Sequence, residues 1–235
     1  MASTSETGHA RNVANFEDLI AFVISYGLTY NPTKNSLKLP QLHALYAAAL
    51  ASLTDVTAKK TTYNFAVNQR MAAFDGLKKM STRLIAALEA TDASPYTIAD
   101  AEGFNRKIQG KRAAAPEGGN SISVSQRSYD SLIEHFAGLI AVLAAEPSYM
   151  PNEEDLKITT LNARKADMIA KNSAVATAFA GINNARISRN NNLYALNVGI
   201  LDIAASVKDY VKSVYGASSP EFALIKGLKF VNYSV

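Results

Sequence analysis

The chain contains an internal repeat: residues 30–90 align with residues 149–209 at a constant offset of 119, without a gap. Fourteen positions are identical between the two copies, from the pair Tyr30 and Tyr149 to the pair Ala86 and Ala205. A repeat of this size predicts that one supersecondary unit occurs twice, with internal pseudo-twofold symmetry. It does not name a reaction.

The apolar residues of each copy recur at spacings that alternate between four and three, which is typical of a coiled-coil seam. We therefore expect an all-α fold, an elongated antiparallel helical bundle with two very long helices at about 37–91 and 154–215. A break in each helix, near residue 60 and near residue 181, is the alternative.

The repeat also predicts the domain organisation. We expect a single elongated domain over 1–235, with repeat one at about 12–110 and repeat two at about 125–235. The segment between them, residues 110–124, combines Gly, Pro and charged residues, which favours a linker.

Three shorter segments lie outside this scheme. Residues 1–11 are small and polar, so we expect them to fray. Residues 121–125 and 229–235 have a β-like composition, and each is either an extended tail or an edge that pairs with another strand.

Composition excludes several classes of protein. The chain has no cysteine, which excludes disulfides, thiolate metal sites and a cysteine nucleophile. The net charge of +4 is modest and carries no strong nucleic-acid signal. No apolar run is long enough for a transmembrane segment. Because the first residues lack the pattern of a signal peptide, the default location is cytoplasmic, with non-classical export as the alternative.

The residue types that commonly form catalytic or metal-binding sites are scattered along the sequence. The histidines His9, His43 and His135 lie far apart, and none has a second ligand at metal-binding helical spacing. No phosphate-binding loop, nucleophile elbow or dinucleotide fingerprint is present. We therefore expect a protein that is not an enzyme, without a metal or a cofactor.

Polar residues occur within the predicted seam. Arg70 and Arg189 hold the same seam position in the two copies, Arg186 also lies on the seam, and Asn64 and Asn183 lie beside it. A polar layer that sets helix register is the favoured interpretation, and a buried site for an anionic ligand is the alternative. The candidate acidic partners are Asp55, Asp75, Asp167 and Asp202.

Asparagine is unusually frequent in the second copy, at Asn184, Asn190, Asn191 and Asn192 among others. A solvated helix face is the favoured interpretation. Because asparagine is a mediocre helix former, a lateral contact surface that hydrogen-bonds to a neighbouring subunit is the alternative.

Several strings support one further comparison: GHARNVANFEDLI at 8–20, YNPTKNSLKL at 30–39, SQRSYDSLIEHF at 125–136 and NNARISRNNNLY at 183–194. Together they resemble a family of tandem-repeat helical proteins of about this length from Bacteroidota. The resemblance spans essentially the whole chain. It implies the tandem layout and a bacterial source, and it carries over no assigned enzyme activity, cofactor or catalytic residue.

The function that we expect is structural: a scaffolding protein that self-associates into a filament, a tube or a lattice, with itself as the partner. Two alternatives are a membrane-active or toxin-like helical component, and an anion- or nucleic-acid-binding helical module. The sequence does not distinguish among them by any catalytic motif.

Overall fold

The computed structural model describes residues 4–111 and 128–234, and within these ranges all regular structure is helical. The expected all-α fold class is therefore confirmed for this part of the chain. The eight α-helices are α1 (Thr4–Ser25), α2 (Leu39–Phe74), α3 (Leu77–Glu89), α4 (Pro95–Gln109), α5 (Tyr129–Ala145), α6 (Ile158–Tyr194), α7 (Ile200–Tyr215) and α8 (Pro220–Lys226). Short 3₁₀ turns occur at Gly27–Thr29, Asn35–Leu37 and Glu154–Leu156.

The longest helices are shorter than the seam pattern predicts. Helix α2 has 36 residues and α6 has 37, so neither the predicted helix 37–91 nor 154–215 is continuous. Helix α2 ends before Gly76, whose φ of 68° is left-handed, and the turn after α6 contains Asn197 at φ 65°. The two very long helices are therefore not confirmed, because the apolar spacing runs on across turns that need only one left-handed residue each.

The alternative break points are also wrong, because α2 continues through residue 60 and α6 continues through residue 181. The threonines near residue 60 are accommodated in the helix. Thr57, Thr61 and Thr62 each donate a hydroxyl hydrogen bond to the carbonyl four residues earlier, at 3.1–3.2 Å. Back-bonding of this kind satisfies the hydroxyl without breaking the helix.

The chain folds into two compact units, and each takes residues from both sequence repeats. The first unit consists of residues up to 62 and from 179 onward, and therefore combines α1, the first part of α2, the last part of α6, α7 and α8. Its core includes Phe16, Leu19, Leu42, Leu193, Ile203 and Ile225.

The second unit covers residues 63–178 and combines the last part of α2, α3, α4, α5 and the first part of α6. Its core includes Leu84, Leu88, Ile108, Phe136, Leu161 and Met168. The units therefore do not follow the expected repeat boundaries of 12–110 and 125–235. The proposed linker lies largely outside the described residues, as does the β-like stretch 121–125.

The same turn precedes both long helices. The buried Tyr30 hydroxyl donates to the Leu37 carbonyl at 2.7 Å, and the buried Tyr149 hydroxyl donates to the Leu156 carbonyl at 3.0 Å. Burial raises the pKa of Tyr149 to about 12 and also raises the pKa of Tyr30. A proline follows each tyrosine by two residues, and the tyrosine closes the 3₁₀ turn that leads into the helix.

Candidate functional site

The first candidate site is a buried polar cluster on α1 in the first unit. Helix α1 begins at Thr4, so the expectation that residues 1–11 fray is wrong for the part of this segment that the structure describes. Gly8 and His9 are buried. A Cβ at Gly8 would overlap the Tyr233 ring, so this glycine permits the close approach of the C-terminal tail.

His9 forms the centre of this cluster. Only 1% of its surface is exposed, and its Nδ1 lies 2.6 Å from the Tyr194 hydroxyl. The Asn12 amide donates to the same hydroxyl at 3.3 Å. Burial lowers the pKa of His9, the positive charge of Arg189 lowers it further, and Glu6 opposes the shift. The imidazole is therefore favoured in its neutral form.

The tail after α8 has no regular secondary structure through residue 234 and is held by side chains rather than by strand pairing. Asn12 donates its amide to the Val231 carbonyl at 2.7 Å and accepts from the Val231 N–H at 3.1 Å. Asn15 donates to the Lys229 carbonyl at 2.6 Å, and Lys208 donates to the Leu228 carbonyl at 2.5 Å. Of the two outcomes left open for residues 229–235, the described part is an extended tail.

Arg189 is buried beside this cluster, as the seam pattern predicts. It is 5% exposed, and its Nη1 lies 2.9 Å from each carboxylate oxygen of Glu6. Its Nε and Nη2 donate to the Asn190 side-chain oxygen at 3.2 and 3.0 Å. Glu6 was not among the expected acidic partners, because it belongs to a segment that we took to be frayed.

Arg70 occupies a different environment in the second unit. Its guanidinium carbon lies 4.0 Å above the Tyr129 ring, which is cation–π geometry. Its Nη1 donates to the Asn172 side-chain oxygen at 3.2 Å, and the Asn172 amide donates to Asp130 at 2.7 Å. Tyr129 and Asp130 lie in the first turn of α5, so the two seam arginines each contact the start of a short helix.

The other members of the predicted polar layer are less buried. Asn64 and Arg186 are exposed, and Asn183 is partly exposed. The role of Asn64, Asn183 and Arg186 in a polar layer that sets register therefore stays a prediction. A strict spacing of 3.5 residues drifts by about 20° per heptad from a straight helix, which moves some nominal seam positions to the surface.

The asparagines divide between internal and surface roles. Asn190 accepts from Arg189, and Asn192 donates to the Ala48 carbonyl at 3.2 Å. These two side chains therefore support the first unit internally, which disagrees with a purely lateral role. Asn184 and Asn191 are exposed, and their assignment to a lateral contact surface stays a prediction.

Arg164 was missed by the sequence reasoning. Its Nη2 donates to the Asp75 carbonyl at 2.5 Å, beyond the end of α2, and reaches the Ala73 carbonyl at 3.5 Å. Burial lowers the pKa of this arginine. A cation at a helix C-terminus complements the dipole and the unpaired carbonyls, but this one arrives from 89 residues away. No local pattern could have revealed it.

The second candidate site is a groove in the second unit. Its volume is about 780 Å³, and the C-terminal end of α3 and the turn before α6 form its walls. Ala86, Ala87 and Ala90 line one wall. The residues on the other wall are Ser148, Tyr149, Met150, Pro151, Asn152, Glu153 and Leu156.

The rim of this groove carries an ion pair. Arg83 contacts Asp155 at 2.5 Å, and both side chains are about half exposed. The hydrogen bond from Arg83 lowers the pKa of the Asp155 carboxyl. An exposed ion pair contributes little to stability, so its role here is to order one edge of the groove.

The His9–Tyr194 pair is buried, and no histidine lines the groove. Within residues 4–111 and 128–234, no group of three or more metal-binding side chains occurs. Among the described helices, none combines the length and the apolar character needed to cross a membrane.

Comparison of the chain with protein-family models, with curated proteins and with solved structures gives no match. The candidate function therefore depends on the residues and their geometry alone.

Proposed function

We propose that the protein is a non-catalytic structural protein that self-associates into a higher-order assembly. The observation that carries this proposal is the exposure of large apolar side chains in both units. Leu28 is fully exposed (101%) and Leu196 is 79% exposed in the first unit, and Met150 is 80% exposed in the second. Single exposed apolar residues are ordinary, and we propose that these side chains become buried in contacts between copies.

The long helices carry further members of this series. Phe65 and Met71 on α2 are 64% and 58% exposed, and Ile187 on α6 is 59% exposed. Burying a large apolar side chain in a contact between copies would stabilise that contact by roughly 1.5–3 kcal/mol. Several such side chains would therefore supply enough free energy for association.

We also propose that the chain arose by duplication. Three features support this: the offset of 119 residues, the matched hydrogen bonds of Tyr30 and Tyr149, and the matched serine caps of α4 and α8. Ser94 accepts from the Thr97 N–H and Ser219 accepts from the Phe222 N–H, each at 3.1 Å. A duplicated protein presents related surfaces twice, and head-to-tail contacts between related surfaces need not close.

The anion-binding alternative is less well supported. Arg189 is paired with Glu6, and Arg70 is committed to Asn172 and the Tyr129 ring. An arginine held in this way has little capacity left for an external phosphate. No specific observation favours the membrane-active alternative.

Self-association can be tested by analytical ultracentrifugation over a hundredfold range of protein concentration, combined with negative-stain electron microscopy. We expect concentration-dependent association that persists at high salt, because apolar contacts are not screened. A single monomeric species at every concentration and salt would contradict the proposal.

A further inference from the structure

The groove in the second unit has a filled counterpart in the first unit. There, Tyr210 of α7 places its ring edge-on against Tyr30, with centroids 5.2 Å apart and planes at 89°. The Tyr210 hydroxyl also accepts a hydrogen bond from the Asn31 N–H at 3.1 Å. A tyrosine from the same chain therefore covers the turn that precedes α2.

The second unit has the same turn without such a cover. At the offset of 119 residues, Tyr149 corresponds to Tyr30 and Thr91 corresponds to Tyr210. Burial supports this alignment of α3 with α7. Leu84 and Leu88 on α3 are buried, and so are the corresponding Ile203 and Val207 on α7. Helix α3 ends at Glu89, however, whereas α7 continues to Tyr215.

The open space left by this difference is the groove itself, because both Thr91 and Tyr149 line it. Its lining is mixed: three alanines, Met150 and Leu156 offer apolar contacts for a ring, and Ser148 and Asn152 are among the polar side chains that can meet a hydroxyl. An amphipathic side chain such as tyrosine matches a surface of this composition. The first unit already provides an example of the occupant.

Tyr96 belongs to neither of the two hydrophobic cores. This tyrosine, at the start of α4, is 85% exposed, and it is the only tyrosine in the exposed class among the described residues. It does not line the groove, although the groove and Tyr96 belong to the same unit. If Tyr96 of each copy enters the groove of the other copy, the two contacts are equivalent, as in a twofold dimer.

We propose that the groove lined by Tyr149 and Thr91 binds Tyr96 of a second copy of this chain. The inference rests on the self-association proposed above and names one contact within it. An aromatic side chain that enters a partner's pocket is a common anchor of protein interfaces.

The test uses the full chain and three variants. Tyr96→Ser removes the entering ring, and Ala86→Phe fills the groove from an exposed helical position. Ala99→Phe is the matched control, because Ala99 is an exposed alanine of α4 that does not line the groove. Circular dichroism and thermal unfolding verify that each variant is folded.

Sedimentation equilibrium then compares the association constants. We expect Tyr96→Ser and Ala86→Phe each to weaken association by about tenfold to a hundredfold, as for a hot-spot aromatic, while Ala99→Phe associates like the wild type. In an equimolar mixture of the two weakened variants, Tyr96 of the Ala86→Phe copy can enter the open groove of the Tyr96→Ser copy, which restores one of the two contacts. It should therefore associate more tightly than either variant alone.

The outcomes separate this inference from the proposed function. If the wild type associates and both groove variants match the Ala99→Phe control, the groove assignment is overturned and self-association stands. A mixture that associates no better than its components would also overturn the assignment. A monomeric wild type would overturn both proposals.

Discussion

Arg189 on α6 binds Glu6 on α1 through both carboxylate oxygens, each 2.9 Å from Nη1, across 183 residues of sequence. The arginine side chain is 6% exposed and the glutamate side chain is 32% exposed. The pair therefore attaches the first turn of α1 to the end of a long helix. It also places a positive charge beside the buried His9.

Glu6→Gln should destabilise the protein by about 2 kcal/mol, because it leaves a buried guanidinium without its counter-charge. Equilibrium urea unfolding measures the change. The control is Asp18→Asn, at an exposed position of the same helix, which we expect to cost less than about 0.5 kcal/mol. Equal stability of the two variants would show that the ion pair contributes nothing net.

The stability of the protein should depend on pH through His9. Its pKa is lowered in the folded state by burial, so the unfolded chain binds the proton more tightly. The contribution of His9 to the free energy of unfolding is therefore fully present above the unfolded pKa of about 6.5. It is lost progressively as the pH falls below that value. Burial lowers the pKa of His135 in the same direction, so both residues contribute.

Urea unfolding at pH 5, 6, 7 and 8 measures this dependence. His9→Gln should flatten the slope between pH 7 and pH 5, and adding His135→Gln should flatten it further. His43→Gln, at an exposed position, is the control. A slope unchanged by His9→Gln would contradict the argument.

Gly8→Val should displace the C-terminal tail, because the new side chain would overlap the Tyr233 ring. We expect a loss of about 1–3 kcal/mol, as for other overpacked sites. Gly227→Ala is the control, since nothing lies within 4 Å of its added Cβ. Tyr233→Ala should partly rescue Gly8→Val in thermal unfolding, and the absence of rescue would show that the ring is not the obstacle.

Asn12→Ala should release the tail more than Asn15→Ala does. Asn12 is 1% exposed and forms two hydrogen bonds with Val231, whereas Asn15 forms one exposed bond with the Lys229 carbonyl. We expect a cost of about 2 kcal/mol for Asn12→Ala. Hydrogen exchange of the peptide that covers residues 228–234 should accelerate in Asn12→Ala first. Equal acceleration in both variants would remove the special role of Asn12.

Parts of the candidate sites were predictable because their causes are local. The repeated tyrosine and proline in front of each long helix indicate the turn, and seven residues separate each donor hydroxyl from its acceptor carbonyl. Seam spacing did not distinguish the buried Arg189 from the exposed Arg186. His9 and Asn12 lie on one face of α1 together with Val13 and Phe16, and this spacing is visible in the sequence. The small, polar first residues instead favoured a frayed end.

The sequence by itself determined the all-α class and the turns before the long helices, because periodicity, turn chemistry and caps act over a few residues. Only the tertiary structure decided that Glu6 pairs with Arg189, that Arg164 caps α2 and that each unit combines parts of both repeats. These outcomes depend on which distant segments meet, and hydrophobic burial is non-directional. The spacing of apolar residues predicts which helix face is buried, but only the tertiary structure shows which residues pack against that face.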